Sequence, residues 1–291
     1  MSALDFSVVI PCFNKDRAIG LTVDQRRESL AASDSYEMIF VDDGSTDETV
    51  AILANLASKD KRIRVIRHER NRGYGAALKT GIRRAIGELI VITDADGSYP
   101  NERIPELVAL SKDADMVVGA RTAANVSYPL IRKIPKLFLK AHCTWLAGQP
   151  IPDMNSGLRV FRRDLAERFL NILPDGFSFT TTITLAMMTN HYEVRYIPIG
   201  YNPRIGKSKI RPIHDTLDFF LLILRTGTYF APTRVFLPLA GILGLGFLAS
   251  LCYDLFALSN LTDKTVLLLL FSMNTALFAL LADMIDKRSG R

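Results

Sequence analysis

The chain has 291 residues, a formal charge of +6 and three cysteines, enough for one large domain or a medium domain with an appendage. Cys12, Cys143 and Cys252 lie far apart, which excludes a zinc-type spacing and fits a reducing compartment. The basic excess would suit nucleic acid, but the positive residues gather toward the C-terminal apolar segments, so anionic head groups or a phosphate-bearing lipid explain it and no nucleic-acid partner is expected.

The opening MSALDFSVVIPCF has no basic leader and too short an apolar run for a signal peptide. FSVVIP (6–11) reads as a buried strand, followed by EMIFV (37–41), RVIR (64–67), ELIVIT (88–93) and MVVG (116–119). Helical patterns fill 16–32, 47–58 and 74–86. Apolar strands alternating with helices predict an α/β domain whose mostly parallel sheet is covered on both faces, with the ligand crevice at the carboxyl ends of the strands. Four polar clusters fall there: PCFNK, DDGSTD, ERNRGYGAAL and DADGSYP.

In DADGSYP, Asp94 and Asp96 stand one residue apart at the end of a buried strand, where like charges repel. Ionised at neutral pH, they are a hard oxygen pair suited to Mg²⁺ or Mn²⁺ held against a diphosphate; a calcium cage would need more oxygens. The G-x-G in NRGYGAALKTG follows the third strand rather than the first and lacks a third glycine, so a nicotinamide site is weakly supported. Small residues at that helix start, Gly75 among them, still let a backbone approach a nucleotide.

After residue 125 the alternation fades. A basic amphipathic helix is expected near residues 129–147, with Leu130, Ile134, Leu137, Ala141 and Trp145 on one face and Arg132, Lys133, Lys136 and Lys140 on another. An interfacial helix is expected over 212–234. Two uncharged runs, 235–253 and 265–282, are each long enough to cross a bilayer and, joined by a short link, predict a hairpin within 235–286 followed by a tail at 287–291. Basic residues flank the hairpin while its link holds only Lys264, so both termini and the domain over 1–211 are expected on the cytoplasmic side. Asp254 and Asp283 at the span ends are expected to meet interfacial water. Gly241, Gly244 and Gly246 offer a small-residue surface for homo-oligomer formation.

In this order, VVIPCFNK, IFVDDGSTDET, NRGYGAALKTGI, VITDADGSYP and DMNSGLRVFRRD resemble the inverting family 2 glycosyltransferases of GT-A fold. The terminal hairpin is similar to that of the polyprenyl- and dolichyl-phosphate branch typified by dolichol-phosphate mannose synthase. The likeness covers roughly residues 5–211. It implies a nucleotide site of Pro11, Phe13, Asn14, Asp43, Gly75, Asp94 and Ala95, with Asp42 ordering its turn. It implies a metal on Asp94 and Asp96, the latter also catalytic through the diphosphate. Ser98 stands where relatives commonly carry a metal-supporting Gln.

Arg121 matches the arginine of a G-S-R motif and, with Arg132 and Ser208, would clamp the acceptor phosphate. YNPRIGKSKI matches an R-x-x-G-x-S-K segment, making Arg204, Lys207, Ser208 and Lys209 a closing basic loop. Asp153 in DMNSG is the candidate general base for a hydroxyl acceptor; a lipid phosphate, already largely a dianion, would leave it an orienting role. The expected reaction is transfer of one sugar from a nucleotide-sugar to polyprenyl or dolichyl phosphate in the cytoplasmic or endoplasmic-reticulum membrane. Transfer to a lipid or protein hydroxyl is the alternative. A processive polysaccharide synthase would carry Q-x-x-R-W, and the only Trp here lies in HCTWLAG; a membrane adaptor would not need Asp43, Asp94 and Asp96.

Overall fold

The computed structural model describes residues 4–30, 35–122, 140–202 and 227–289. They belong to two compact units, Met1–Ile210 and Arg211–Arg291.

All five expected strands form: β1 (Phe6–Cys12), β2 (Tyr36–Asp42), β3 (Ile63–Arg67), β4 (Leu89–Ile92) and β5 (Met116–Ala120). So do α1 (Asp16–Ser29), α2 (Thr49–Lys59) and α3 (Tyr74–Arg84). The sequence pattern did not bring out α4 (Ile104–Leu110), β6 (Arg159–Arg162), α6 (Arg163–Phe169), α7 (Phe179–Thr189) or β7 (Val194–Pro198). The seven-stranded sheet runs β3-β2-β1-β4-β6-β5-β7. Only β6 is antiparallel, to both β4 and β5.

Period-two alternation builds the two faces. Val8, Ile10, Met38 and Phe40 meet Ile19 and Val23 of α1, Leu53 of α2 and Leu107 of α4. Val9, Ile39, Ile90 and Ile92 meet Leu78 and Ile82 of α3, Leu165 of α6 and Ile183 of α7. A three-layer α/β sandwich results, as the apolar strands require.

An antiparallel strand begins at the edge where its parallel neighbours end. The loop before β6 therefore arrives at the same edge as the loops after β1, β2, β4 and β5. The β6 residue Arg159 is fully buried and binds the carbonyls of Ser156 (Nε, 3.1 Å) and Thr180 (Nη1, 3.0 Å) and the hydroxyl of Thr184 (2.9 Å). Burial lowers its pKa, the cost of seating a guanidinium inside a core.

Of the amphipathic helix, residues 140–147 (α5) are described. Cys143 and Leu146 are buried while Ala141 and Trp145 stay open, Trp145 being 47% exposed. The rest of that helix, with Arg132, and most of the 212–234 segment lie outside the described residues.

In the second unit, Pro232–Leu258 and Asp263–Ile285 form two long apolar helices of 27 and 23 residues, each long enough to cross a membrane. Their outer faces expose Ile242, Leu245, Phe256 and Ile285, as a lipid-facing hairpin would. The seam joins a polar and an aromatic contact: the Ser272 hydroxyl donates to the Ala240 carbonyl (3.0 Å), and Phe236 meets Phe278 edge-on. Gly244 faces Ser272 and Gly246 faces Leu268, so two of the three glycines expected to serve self-association lie against the hairpin's own partner helix. Asp254 also departs from expectation. It is fully buried, and its Oδ2 accepts from the Thr262 N–H (2.8 Å), the Thr262 hydroxyl (2.7 Å) and the Thr265 hydroxyl (2.6 Å). The short link forces the chain to reverse tightly, and Asp254 satisfies the backbone that the reversal leaves open.

Replacing Arg159 with Met should strip the charged donor from several buried acceptors at once. The expected loss is about 3 kcal/mol or more, read as a fall in the urea midpoint with the slope unchanged.

Candidate active site at the carboxyl edge of the sheet

β1, β2 and β4 end side by side and deliver the acidic loops. At the end of β2, Asp42 and the next residue, Asp43, are both buried but do different work. Asp42 accepts from the Ser45 N–H (3.3 Å) inside its own turn. Asp43 reaches the loop after β3: it accepts from the N–H groups of Arg72 (2.9 Å) and Gly73 (2.8 Å), and its Oδ1 lies 2.7 Å from His68 Nδ1. His68 Nε2 in turn meets the Thr80 hydroxyl at 2.9 Å. His68 is thus the fixed partner of a candidate base-binding carboxylate, a role its sequence position did not signal.

Asn14 adopts φ +53°, a left-handed conformation that Asn tolerates. Its backbone N–H donates to the Ser45 hydroxyl (2.9 Å) and its side-chain oxygen accepts from the Thr46 N–H (2.9 Å), tying the first loop to the second. Pro11 and Phe13 beside it are half-buried.

The DADGS turn closes because Gly97 takes φ +71°, folding Ser98 back onto Asp96. Asp96 Oδ1 accepts from the Ser98 N–H (3.2 Å) and hydroxyl (2.5 Å). Ser98, in the place of the usual Gln, holds Asp96 itself. The Tyr74 hydroxyl donates to Asp94 Oδ1 (3.1 Å); burial, then the Asp94 charge, keep that hydroxyl protonated. Ala95 between the two is buried. Beneath the turn, the fully buried Arg26 of α1 donates from Nη2 to the Asp94 carbonyl at 2.6 Å. Burial brings its pKa down to about 10, leaving it charged at neutral pH.

Asp94 and Asp96, one residue apart, carry the hard oxygen donors that suit a metal sharing its shell with substrate phosphate and water. Mg²⁺ and Mn²⁺ fit this pair; a zinc or calcium cage does not.

The loop before β6 completes the site. Gly157 lies against Asp94: a Cβ there would stand 3.1 Å from Asp94 Oδ1 and from the Tyr99 ring. The Gly157 N–H donates to the Tyr99 hydroxyl (2.6 Å), and Tyr99 packs edge-on to Tyr201. Asp153 and Arg121, kept apart as base and phosphate clamp in the sequence reading, are paired here. Arg121 donates from Nε to Oδ2 (2.7 Å) and from Nη2 to Oδ1 (2.9 Å), and its backbone N–H adds a third bond (3.0 Å). The Asn155 N–H supplies the fourth (3.1 Å). Burial pushes the Asp153 carboxyl up, but the Arg121 bonds and charge outweigh it and hold the group below its ordinary value. The Arg121 guanidinium also lies over the Tyr201 ring, 5.3 Å from its centre.

Gly75 has a packing reason of its own, since a Cβ would fall 2.1 Å from the Pro174 carbonyl oxygen. Arg204, Lys207, Ser208 and Lys209 lie outside the described residues, as Arg132 does.

Residues 7–170, more than half of the chain, match the family described as glycosyl transferase family 2. The chain belongs to that family. Among curated relatives it is 28% identical, over 82% of its length, to a low-salt glycan biosynthesis hexosyltransferase of Haloferax volcanii. It is 36% identical over 56% of its length to an undecaprenyl-phosphate 4-deoxy-4-formamido-L-arabinose transferase of Photorhabdus laumondii, and 29% over 76% to a dolichyl-phosphate beta-glucosyltransferase of Trichomonas vaginalis. The chain spans 58%, 51% and 70% of those three proteins. Among solved structures, glucosyl-3-phosphoglycerate synthase of Mycobacterium tuberculosis, crystallised with Mn²⁺, UDP and phosphoglyceric acid, superposes with a TM-score of 0.59 at 20% identity, covering 77% of this chain and 79% of that one. TarS of S. aureus with UDP-GlcNAc gives 0.54 at 20%, over 77% and 66%. These likenesses establish the GT-A fold of this family 2 chain.

The Arg121–Asp153 pair carries an acid limb. A carboxyl held below its unfolded value of about 3.9 contributes fully above that pH and loses its contribution as pH falls through the folded value. A double-mutant cycle with Arg121→Ala and Asp153→Ala should therefore give a coupling of about 1–3 kcal/mol at pH 7 that shrinks below pH 4.

Proposed function

We propose that this chain transfers a single sugar from a nucleotide-sugar to a polyprenyl or dolichyl phosphate, with inversion, at the cytoplasmic face of a membrane. The observation that carries the choice of acceptor is the saturated Asp153. A carboxylate offers about four acceptor positions. In Asp153 four hydrogen bonds use them, and its lowered pKa makes it a poor proton acceptor. A hydroxyl acceptor would need a general base here. A phosphate monoester, with a second pKa of about 6, attacks without one.

On this reading Asp153 fixes the guanidinium of Arg121 at the edge where the acceptor phosphate would bind. Pro11, Phe13 and Asn14 line the base side, with Asp43 held in place by His68 and the Arg72 and Gly73 amides. Asp94 and Asp96 would hold Mg²⁺ or Mn²⁺, which when bound supplies positive charge against the departing diphosphate. Arg204, Lys207, Ser208 and Lys209 are assigned to the phosphates on the strength of their sequence motif, and Arg132 by its place on the expected basic helix. The undecaprenyl-phosphate and dolichyl-phosphate transferases among the relatives support a lipid-phosphate acceptor, and the two long apolar helices support a membrane location. The basic flanks of the hairpin support a cytoplasmic catalytic unit.

The test is a transfer assay with full-length protein in detergent, Mg²⁺ or Mn²⁺, a panel of labelled nucleotide-sugars and a polyprenyl phosphate, scoring label in the organic phase. Wild type should form lipid-linked sugar from one donor, and Asp96→Asn should lose at least about a hundredfold in rate. Asp153→Asn, which keeps an acceptor for Arg121, should retain measurable transfer. Turnover seen only with a hydroxyl acceptor would sink the lipid-phosphate assignment.

A further inference from the structure

The segment that leaves β7 runs on beside the end of β5. The Ile199 N–H donates to the Ala120 carbonyl (2.8 Å), which carries the parallel pairing past Pro198 and brings Tyr201 next to Arg121. The central carbon of the Arg121 guanidinium lies over the Tyr201 ring, 5.3 Å from its centre, within the range where a ring face attracts a cation. No motif marks Tyr201 in the sequence.

The same ring is fastened to the acidic turn. Tyr99, just after Asp96 and only 3% exposed, packs against it edge-on, centroids 5.3 Å apart. One residue further on, the Asn202 N–H donates to the Ser98 carbonyl (2.9 Å), and Ser98 is the residue that holds Asp96. The Tyr99 hydroxyl accepts from the Gly157 N–H (2.6 Å), in the loop that also carries Asp153. Tyr201 is itself half-buried and packs against the core on the α1 side of the sheet.

Asp153 does not fix Arg121 alone. Its bonds to Nε and Nη2 lie along one edge of a planar group, and the plane can still tilt about that edge. A ring beneath the cation opposes the tilt. It also refers Arg121 to the turn of Asp94 and Asp96, which the carboxylate of Asp153 does not touch. That separation matters to transfer. An attacking oxygen has to sit within about 3–3.5 Å of the sugar carbon, and an error of about 1 Å costs about a hundredfold in rate.

We propose that Tyr201 is a positioning residue whose ring sets the distance between the acidic turn and Arg121, and so the place of the acceptor phosphate. This rests on the lipid-phosphate reading above.

The test is steady-state transfer by purified full-length protein in detergent with Mn²⁺, undecaprenyl and dolichyl phosphate as acceptors and the donor that wild type uses. Binding of UDP and GDP is measured on the same preparations. Tyr201→Leu should raise the KM for the lipid phosphate about tenfold and leave nucleotide affinity within about twofold. Tyr201→Phe, which keeps the ring, should stay close to wild type. The double variant Arg121→Lys with Tyr201→Leu should be no worse than Arg121→Lys alone, because the ring acts through that guanidinium. KM does not depend on the folded fraction, and Tyr201→Met serves in place of Leu if that variant does not fold. An unchanged lipid KM in Tyr201→Leu, an equal loss in nucleotide affinity, or effects of the two substitutions that simply multiply would each overturn the proposal. Wild-type protein that transfers sugar to neither lipid phosphate would instead remove the reading beneath it, and the proposal with it.

Discussion

A guanidinium with no access to solvent organises the catalytic end of this molecule. Arg159 occupies the one strand that runs against the rest and spends its donors on the Ser156 and Thr180 carbonyls and the Thr184 hydroxyl. Burying a charge costs several kcal/mol, so it persists only where the hydrogen bonds around it are nearly complete. The return is geometric. The loop from Asp153 to Gly157 is pinned to α7 on one side and pressed against Asp94 on the other, giving the sheet edge a second wall that the six parallel strands alone would lack.

The acidic groups at that edge are all restrained by something other than a ligand. Asp43 is held by His68 and two amides, Asp96 by Ser98, Asp94 by Tyr74, and Asp153 by Arg121. Arg26 adds a fixed positive charge beneath the turn that carries two of them. Such an arrangement bears the cost of gathering negative charge during folding rather than at the moment of binding. Preorganised electrostatics of this kind is what a reaction that moves charge onto a departing diphosphate requires.

How much of this was legible in the sequence depended on whether a signal was local. The first five strands announce themselves as short apolar runs with polar residues after them, and the expected helices α1 to α3 follow their periodicity. β6 is four residues long with arginine at both ends, so no apolar run marks it, and only pairing with β4 and β5 makes it a strand. α7 was hidden because burial on nearly all sides erases the amphipathic stripe on which such readings depend. Asp94, Asp96 and Asp153 could be picked out as residues, but the Arg121–Asp153 bond joins positions 32 apart. Arg26 gave no sign either, since an arginine within DQRRES reads as one more solvated charge.

The turn of the apolar hairpin has an implication for how the protein is made. Asp254 is on the first long helix, while Thr262 and Thr265 belong to the link and the second. The Asp254 carboxylate takes its side-chain and backbone donors from the link and the second helix, so the first helix alone would leave it bare. The knot at the tip is thus complete only when both helices are in place, so the two helices form and keep their turn as one body.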